Sequence, residues 1–321
     1  MTKTWYVAIV GRPNAGKSTL LNALIGEKVS AISHRPQTTQ RSIPGIFTDE
    51  DRGIQIIFLD TPGIHNHGGE QFGSQKSTEI NERINREAYA SLREAEVILR
   101  LLDPTRSYGE EDQRIDELLE RLPQPVIRIE TKQDLDTKGY PQKWVDLRID
   151  SIARTGFEEL IDRIAVHLPE WPFLYDPEYY TDQSMDLRIQ EVIREQLFLE
   201  LGDEIPYASY VEIASIEEKV WGGRKEEKWS AKEQFGKTTN PWAHQPAQPL
   251  LSIIAYINVE ADSQKIIVIG KWGKKIWAIG TNSRLILEEI FGKKVYLALR
   301  VKVDKNWRKN TKVLEKLFPK K

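Results

Sequence analysis

Eight residues near the N-terminus constrain the fold more than anything else in the chain: Gly11-Arg12-Pro13-Asn14-Ala15-Gly16-Lys17-Ser18. The spacing GxxxxGK[ST] carries meaning only between a strand and a helix. Here Trp5-Tyr6-Val7-Ala8-Ile9-Val10 precedes it, a near-continuous apolar run of the kind buried on both faces of a sheet. Thr19-Leu20-Leu21-Asn22-Ala23-Leu24 follows and reads as a helix. In that setting the glycines let backbone N–H groups wrap phosphates, and the helix N-terminus adds positive potential. Lys17 is then placed to reach the β- and γ-phosphates, Ser18 to bind magnesium through its hydroxyl, and residues 11 to 19 to surround the nucleotide. A chance match on a Gly-rich turn is the competing explanation, and the flanking strand and helix argue against it.

The rest of the first half repeats the strand–helix alternation. Apolar runs recur at Ile54–Leu59, Val97–Leu102, Pro125–Ile129 and Val145–Ile149, with helical spacing between them, as at Ile115, Leu118, Leu119 and Leu122. Arginines within some of these runs, Arg100 among them, go against a buried strand. The alternation predicts a doubly wound α/β sheet.

Three later segments bear on the nucleotide class. Asp60-Thr61-Pro62-Gly63 follows a strand as a DxxG element should, with Asp60 holding magnesium through water and the Gly63 N–H meeting the γ-phosphate. Pro36-Gln37-Thr38-Thr39-Gln40 lies where a threonine hydroxyl completes the magnesium shell, and Thr39 is favoured over Thr38. Thr131-Lys132-Gln133-Asp134 also follows a strand. The Asp134 carboxylate there accepts from guanine N1 and N2, a donor pair that adenine lacks. Lys17, Thr39 and Gly63 are the expected catalytic groups. Ile64 stands where a water-orienting Gln acts in Ras-type enzymes, so the orienter must come from elsewhere.

Composition narrows the classes further. There is no cysteine, which excludes disulfides and thiolate chemistry, and 5 scattered histidines make a His-based metal site improbable. No apolar run approaches the roughly 18 residues of a membrane span, and the N-terminal apolar stretch is too short for a secretory signal, so a cytoplasmic protein is expected. Net charge is −2, yet residues 263–321 carry 16 Lys/Arg and 4 Asp/Glu. A basic tail on an acidic body suggests a polyanionic partner; a solvated basic face is the plain alternative.

Around residue 170 the texture changes. Leu168-Pro169-Glu170-Trp171-Pro172 through Tyr180 is rich in Pro and aromatics and reads as a linker. Asp186–Leu201 reads as an amphipathic helix with Leu187, Val192, Ile193, Leu197 and Leu201 on one side. Tyr207–Ile216 and Leu251–Val259 read as strands. Glu217–Pro249, charged and Gly/Pro-rich with three Trp, reads as a long loop or partly disordered insertion.

With these residues in place, the chain resembles the bacterial Era family of GTPases over nearly its whole length. The matching blocks are Gly11–Ser18, Pro36–Thr39, Asp60–Gly63, Tyr179-Tyr180-Thr181-Asp182 and Ile269-Gly270-Lys271-Trp272-Gly273. The resemblance implies a P-loop GTPase domain with a mostly parallel sheet over 1–170, a linker over 171–183, and a smaller α+β type II KH domain over 184–321 that carries the insertion at about 217–249. It implies GTP hydrolysis with magnesium; a slow intrinsic rate is expected from Ile64, and a monomer is expected. It also implies binding to the 3′ end of 16S ribosomal RNA and the 30S subunit, assistance to small-subunit maturation, and weak peripheral association with the membrane. Asn14, in the form GxPNxGKS, implies a potassium ion near the phosphates; a hydrogen bond that steadies the loop is the alternative. Arg12 is either a phosphate neighbour or solvated, the latter favoured.

Two positions depart from the family pattern. Thr131 replaces the usual Asn, which predicts weaker guanine affinity without loss of specificity. In Ser151-Ile152-Ala153-Arg154-Thr155-Gly156, Ile152 stands at the usual Ser, leaving the Ala153 N–H for the guanine carbonyl and Arg154 beside it. A KH scaffold whose nucleotide site has decayed at these two positions is therefore the alternative function. GTPases of other branches and metabolic kinases share the phosphate loop but lack the basic tail.

Gly270-Lys271-Trp272-Gly273 joins the apolar run Lys265–Ile269 to the helix-like Lys274–Ile279. A GxxG there is the KH clamp for about four nucleotides of backbone. Lys271, Lys274 and Lys275 supply charge; Ile267, Ile269 and Ile276 are candidates for an apolar floor. Trp272 either stacks on a base or packs. Trp277 is expected in the core from its helical spacing. Trp307, among Lys305, Arg308 and Lys309, is either a second RNA contact or a pin for the C-terminal helix. The segment Thr311–Phe318 is either that packed helix or a contact for anionic membrane.

Overall fold

The computed structural model describes residues 1–32, 42–62, 79–135, 144–201, 205–221 and 248–317. The chain divides into two compact units, Met1–Glu191 with Asn306–Lys321, and Val192–Lys305.

The first unit is a doubly wound α/β sheet. Its elements in chain order are β1 (Lys3–Gly11), α1 (Lys17–Ile25), β2 (Ile43–Asp49), β3 (Ile54–Asp60), α2 (Glu79–Glu94), β4 (Val97–Leu102), α3 (Glu110–Leu119), β5 (Val126–Glu130), β6 (Leu147–Arg148) and α4 (Phe157–Ala165). The strand order is β2-β3-β1-β4-β5-β6, parallel except for β2 against β3. Strand alternation explains the continuous apolar runs. Val7 and Ile9 of β1 pack toward α1 and α4, while Ala8 and Val10 pack with Leu92, Ile115 and Leu119 of α2 and α3.

Arg100 shows how a cation fits a central strand. It is fully buried in β4, its guanidinium donating to Asp112 (2.8 Å) and Asp116 (2.9 Å) of α3. Buried charge is tolerated because it is paired and hydrogen-bonded.

The Pro- and aromatic-rich stretch is bonded to this unit. Gln55, buried in β3, accepts from the N–H groups of Leu174 and Tyr175 and donates to the Tyr175 carbonyl. Further along, Ile46 N–H donates to Tyr180 O, Thr181 to Pro44 O, and Gln183 to Val29 O. The division consequently falls at Glu191/Val192 rather than near 184. Residues 306 to 317 also group with the first unit, where Trp307 and Leu314 are buried and the turn at Trp307–Lys309 contacts α2. Of the two readings of Trp307, the structure favours the pin.

Helix α5 (Met185–Glu200) leads into the second unit, a three-stranded sheet of β7 (Ser209–Trp221), β8 (Gln248–Val259) and β9 (Lys294–Val303) covered by α6 (Asp262–Ile269) and α7 (Lys274–Phe291). A short α8 (Thr311–Leu317) ends the chain. β7 and β8 are antiparallel; β8 and β9 are parallel, which requires the α6–α7 crossover between them. Leu251, Ile253, Ala255, Ile257 and Val259 form the buried face of β8.

Two expectations are corrected here. The expected insertion begins and ends as paired strand, with Glu217 opposite Ser252 and Trp221 opposite Gln248, because β7 and β8 continue one ladder; residues 222–247 lie outside the described residues. Trp277 is 71% exposed, not in the core, because the α7 face that packs inward is the one carrying Ile279, Ser283 and Leu287.

Candidate functional site

The phosphate loop sits where three parallel strands end together. Ile9 of β1 is in register with Asp60 of β3, and Gly11 with Leu101 of β4, so the loop after β1, Asp60 and the loop after β4 share one edge of the sheet. A side chain at Gly11 would meet the Leu101 carbonyl at 3.0 Å, which is why a glycine stands there. Gly16 (φ +93°) and Asn14 (φ +65°) adopt the left-handed turn that swings the chain into α1.

Lys17 is buried, its ammonium donating to the carbonyls of Gly11 and Arg12 at 3.0 Å each. Desolvation lowers its pKa to about 8, with Asp60 acting against that shift and Arg100 adding to it. Ser18 Oγ donates to Asp60 Oδ2 at 2.6 Å, and Ser30 Oγ to the same oxygen at 2.7 Å. Thr61 donates to Ile9 O at 2.7 Å, fastening the start of the DTPG element to β1. A hydroxyl and a carboxylate converging beside a buried ammonium are hard oxygen donors of the kind magnesium takes, next to a cation that phosphates need. Thr39, Gly63 and Ile64 lie outside the described residues.

At the other end, Thr131 follows β5 and is buried. Its hydroxyl lies 2.8 Å from Ala15 O and 3.2 Å from Leu102 O, so it ties the phosphate loop to β4. Lys132, at φ +58°, donates to Asp103 Oδ2 at 2.6 Å, and Asp103 in turn accepts from Thr105. These hydrogen bonds outweigh burial and hold the Asp103 carboxyl below its usual range. Asp134 is exposed on the same loop, and Gln133 donates to Glu130. After β6, Asp150 Oδ1 accepts from both Ile152 and Ala153 N–H at 2.8 Å. The Ala153 N–H expected for the guanine carbonyl thus already has an acceptor. Arg154 lies over the Phe157 ring, 5.5 Å from its centroid.

Arg12 is not solvated. Its side chain is 14% exposed and donates to Glu111 (3.1 Å), Asp112 (2.6 Å) and the Ser107 carbonyl (3.1 Å). Asp112 is shared with Arg100, so a single carboxylate joins the phosphate loop, β4 and α3.

Sequence reasoning missed Ser30, Asp103, Asp112 and Asp150. Asp150 left a signal, an acid directly after a strand and before a tight turn. Ser30 and Asp112 left none, since their partners are 30 and 100 residues away.

In the second unit the GxxG residues form a tight turn between α6 and α7. Gly270 (φ +72°) has the Lys275 backbone N 3.2 Å from where a Cβ would stand, and Gly273 (φ +72°) caps α7. Lys271, Trp272 and Lys274 are exposed; Lys275, Ile269 and Ile276 are half-buried. The apolar run Lys265–Ile269 is helix, leaving Ile266 71% and Ile267 42% exposed. Among the described residues there is no cluster of metal-ligating side chains of the His/Asp/Glu kind and no helix long and apolar enough to cross a membrane.

Two family models match the chain, one in each half. Residues 6–132 match the family model of a 50S ribosome-binding GTPase, and residues 249–308 match that of a KH domain. The GTPase Era of Thermoanaerobacter sp. (strain X514) is 36% identical over 330 aligned positions, covering 98% of this chain and 96% of the relative. That of Borreliella afzelii is also 36% identical, covering 98% and 99%. Among solved structures, Era in complex with MgGDPNP and nucleotides 1506–1542 of 16S ribosomal RNA aligns with a TM-score of 0.79 at 32% identity, covering 99% of both chains. An Aquifex aeolicus Era bound to GDP.AlF4- aligns at 0.78 and 31%, again covering 99% of both.

Proposed function

The chain belongs to the Era family of GTPases, and on that premise we propose that it is a magnesium-dependent GTPase switch whose KH unit grips the 3′ end of 16S ribosomal RNA during small-subunit maturation. The observation that carries the nucleotide half is the meeting of Lys17, Ser18 and Asp60 at one sheet edge, with Thr131 tying the guanine loop to the same phosphate loop. Phosphate oxygens replace the Gly11 and Arg12 carbonyls as acceptors for Lys17. Ser18 directly and Asp60 through water would hold magnesium, with the Thr39 hydroxyl completing its shell; the ion would supply positive charge to the phosphate oxygens. Asp134 takes guanine N1 and N2, Gly63 the γ-phosphate, and the remaining residues of 11–19, 60–64, 131–134 and 153–154 enclose the nucleotide. The intact phosphate site speaks against a decayed scaffold.

Hydrolysis is slow, because the chain lacks a Gln after Gly63 and must order its water by other means. Asn14 recruits a potassium ion that adds charge near the phosphates; equal turnover in sodium and in potassium would remove that part. The RNA half is carried by the GxxG turn, with Ile269 to Lys275 as its contact set. The protein acts in the cytoplasm as a monomer on the 30S subunit. Burial of Trp307 and Leu314 argues for a packed terminal helix over a membrane contact.

The test is binding of labelled RNA from the 16S 3′ end to protein loaded with GDP or with a non-hydrolysable GTP analogue, at fixed salt. Tighter selective binding in the GTP form supports the switch. Binding indifferent to nucleotide supports the scaffold, and no selective binding ends the RNA reading.

A further inference from the structure

The GxxG turn and the first turn of α7 carry one indole each that the fold leaves in water. Trp272, the second central residue of the turn, is 86% exposed and held at φ +59° between two glycines of positive φ. Trp277 lies in the first turn of α7, one position past Ile276, and is 71% exposed. Both are among the most water-exposed large apolar side chains of the second unit, and neither contributes to its core. A tryptophan gains stability by burial, so one inside the turn and one just after it, both mostly in water, contribute little to folding where they stand. Packing has shaped the rest of the turn around them. Gly270 has no room for a side chain, whereas Gly273 has open space and is needed for its backbone angle.

The charge around them selects the partner. From residue 263 to residue 287 there is no Asp or Glu, while Lys265, Lys271, Lys274, Lys275 and Arg284 are all present. Cations interleaved with exposed aromatics suit a single-stranded polyanion with flat, unstacked rings. A backbone clamp reads sugar and phosphate only; the aromatic rings supply contact to bases.

We propose that Trp272 and Trp277 are base-stacking platforms for single-stranded RNA, so that this clamp holds two bases face-on besides the backbone it tracks. The inference rests on the RNA-binding function proposed above. It assigns the non-ionic part of RNA affinity to the indoles and the ionic part to the lysines. The two parts respond differently to salt, because only charged contacts release counterions.

The experiment uses the full chain and a short labelled single-stranded RNA from the 16S 3′ end, titrated at several salt concentrations. W272A and W277A should each weaken binding about fivefold or more, with an unchanged salt slope. W272F and W277F should recover most of it. K274A should instead flatten the slope. RNAs with one abasic position, scanned along the strand, should contain a site where the abasic loss and the W272A loss do not add, and a second such site for W277A. The midpoint of thermal unfolding should not move, which separates lost contact from lost fold. Alanine variants that bind within twofold of the parent overturn the inference while leaving the RNA-binding function standing. So does loss without rescue by Phe, or loss that is additive with every abasic position. Unchanged RNA binding with lost adhesion to phosphatidylglycerol vesicles would assign the indoles to a membrane and overturn it as well. A parent protein that binds no RNA overturns both.

Discussion

At the scale of single residues, Lys17 and Thr131 set what the nucleotide site can do. Burial brings the Lys17 pKa to about 8 from an ordinary 10.5. The folded protein therefore binds this proton less tightly than the unfolded chain does. Stability limited by Lys17 is lowest below pH 8 and rises as pH climbs from about 8 to 10.5, worth roughly 3 kcal/mol across the window. Phosphates restore the partner that burial removed, so nucleotide binding raises the pKa again. Calorimetry of GDP binding at pH 9, in buffers of different ionisation enthalpy, should show uptake of close to one proton; at pH 7 the uptake should vanish. A pH-independent proton count would show that Lys17 stays charged throughout. Thr131 offers one hydroxyl proton to two carbonyls, those of Ala15 and Leu102. T131A should cost about 1–2 kcal/mol of stability and weaken GDP binding, whereas T131N, with two N–H donors, should strengthen it. Chemical unfolding with and without GDP separates the two effects. That Lys17, Ser18 and Asp60 lie at the ends of neighbouring strands was legible from local spacing, because each follows an apolar run within a short contiguous loop. That Thr131 grips the phosphate loop was not, since its partners are 29 and 116 positions away.

At the scale of elements, α3 is fastened to the sheet through Asp112. Its carboxylate takes Arg12, Arg100 and the Gly109 N–H, two cations and the first turn of its own helix. Removing one partner of a buried pair strands the other, so D112A should destabilise the first unit by about 3–5 kcal/mol. E111A removes an exposed partner of Arg12 and should cost under about 1 kcal/mol. Urea unfolding of both variants measures the contrast; equal costs would mean Asp112 is no more than a surface acid. The tail follows the same logic. Trp307 is 1% exposed, and W307A should cost about 3–5 kcal/mol. It should leave the folded protein's affinity for RNA unchanged, whereas a nucleic-acid contact at this position would lose affinity without loss of stability. The alternation of strands and helices in the first unit was readable because buried parallel strands are apolar throughout. The helical state of Lys265–Ile269 was ambiguous, since a five-residue apolar run fits either period. The exposure of Trp277 was misread because spacing defines faces of a helix without saying which one meets a sheet.

For the whole molecule, a switch requires that nucleotide and RNA affinities be coupled, and coupling is reciprocal. If the GTP form binds 16S 3′ RNA more tightly by some factor, within the usual 5–150-fold, RNA must tighten the GTP analogue relative to GDP by that same factor. Titrating both ligands in both orders measures that factor; a factor of one would mean that the nucleotide and RNA sites are uncoupled and that the protein is not a switch. Sequence alone determined the two-part plan, the phosphate loop, the DTPG and TKQD elements and the glycine turn of the basic tail. Apart from the two-part plan, which shows in composition, each of these is a pattern of four to eight neighbours in the chain and is readable without knowing the packing. Tertiary structure alone decided that residues 306 to 317 return to the first unit, that the aromatic stretch after residue 170 is bonded to β2 and β3, and that Arg12 belongs to α3. It also decided which tryptophans are buried and which face water. These depend on pairings between segments tens to hundreds of residues apart, chosen by the packing of whole faces, and no local pattern encodes which face wins.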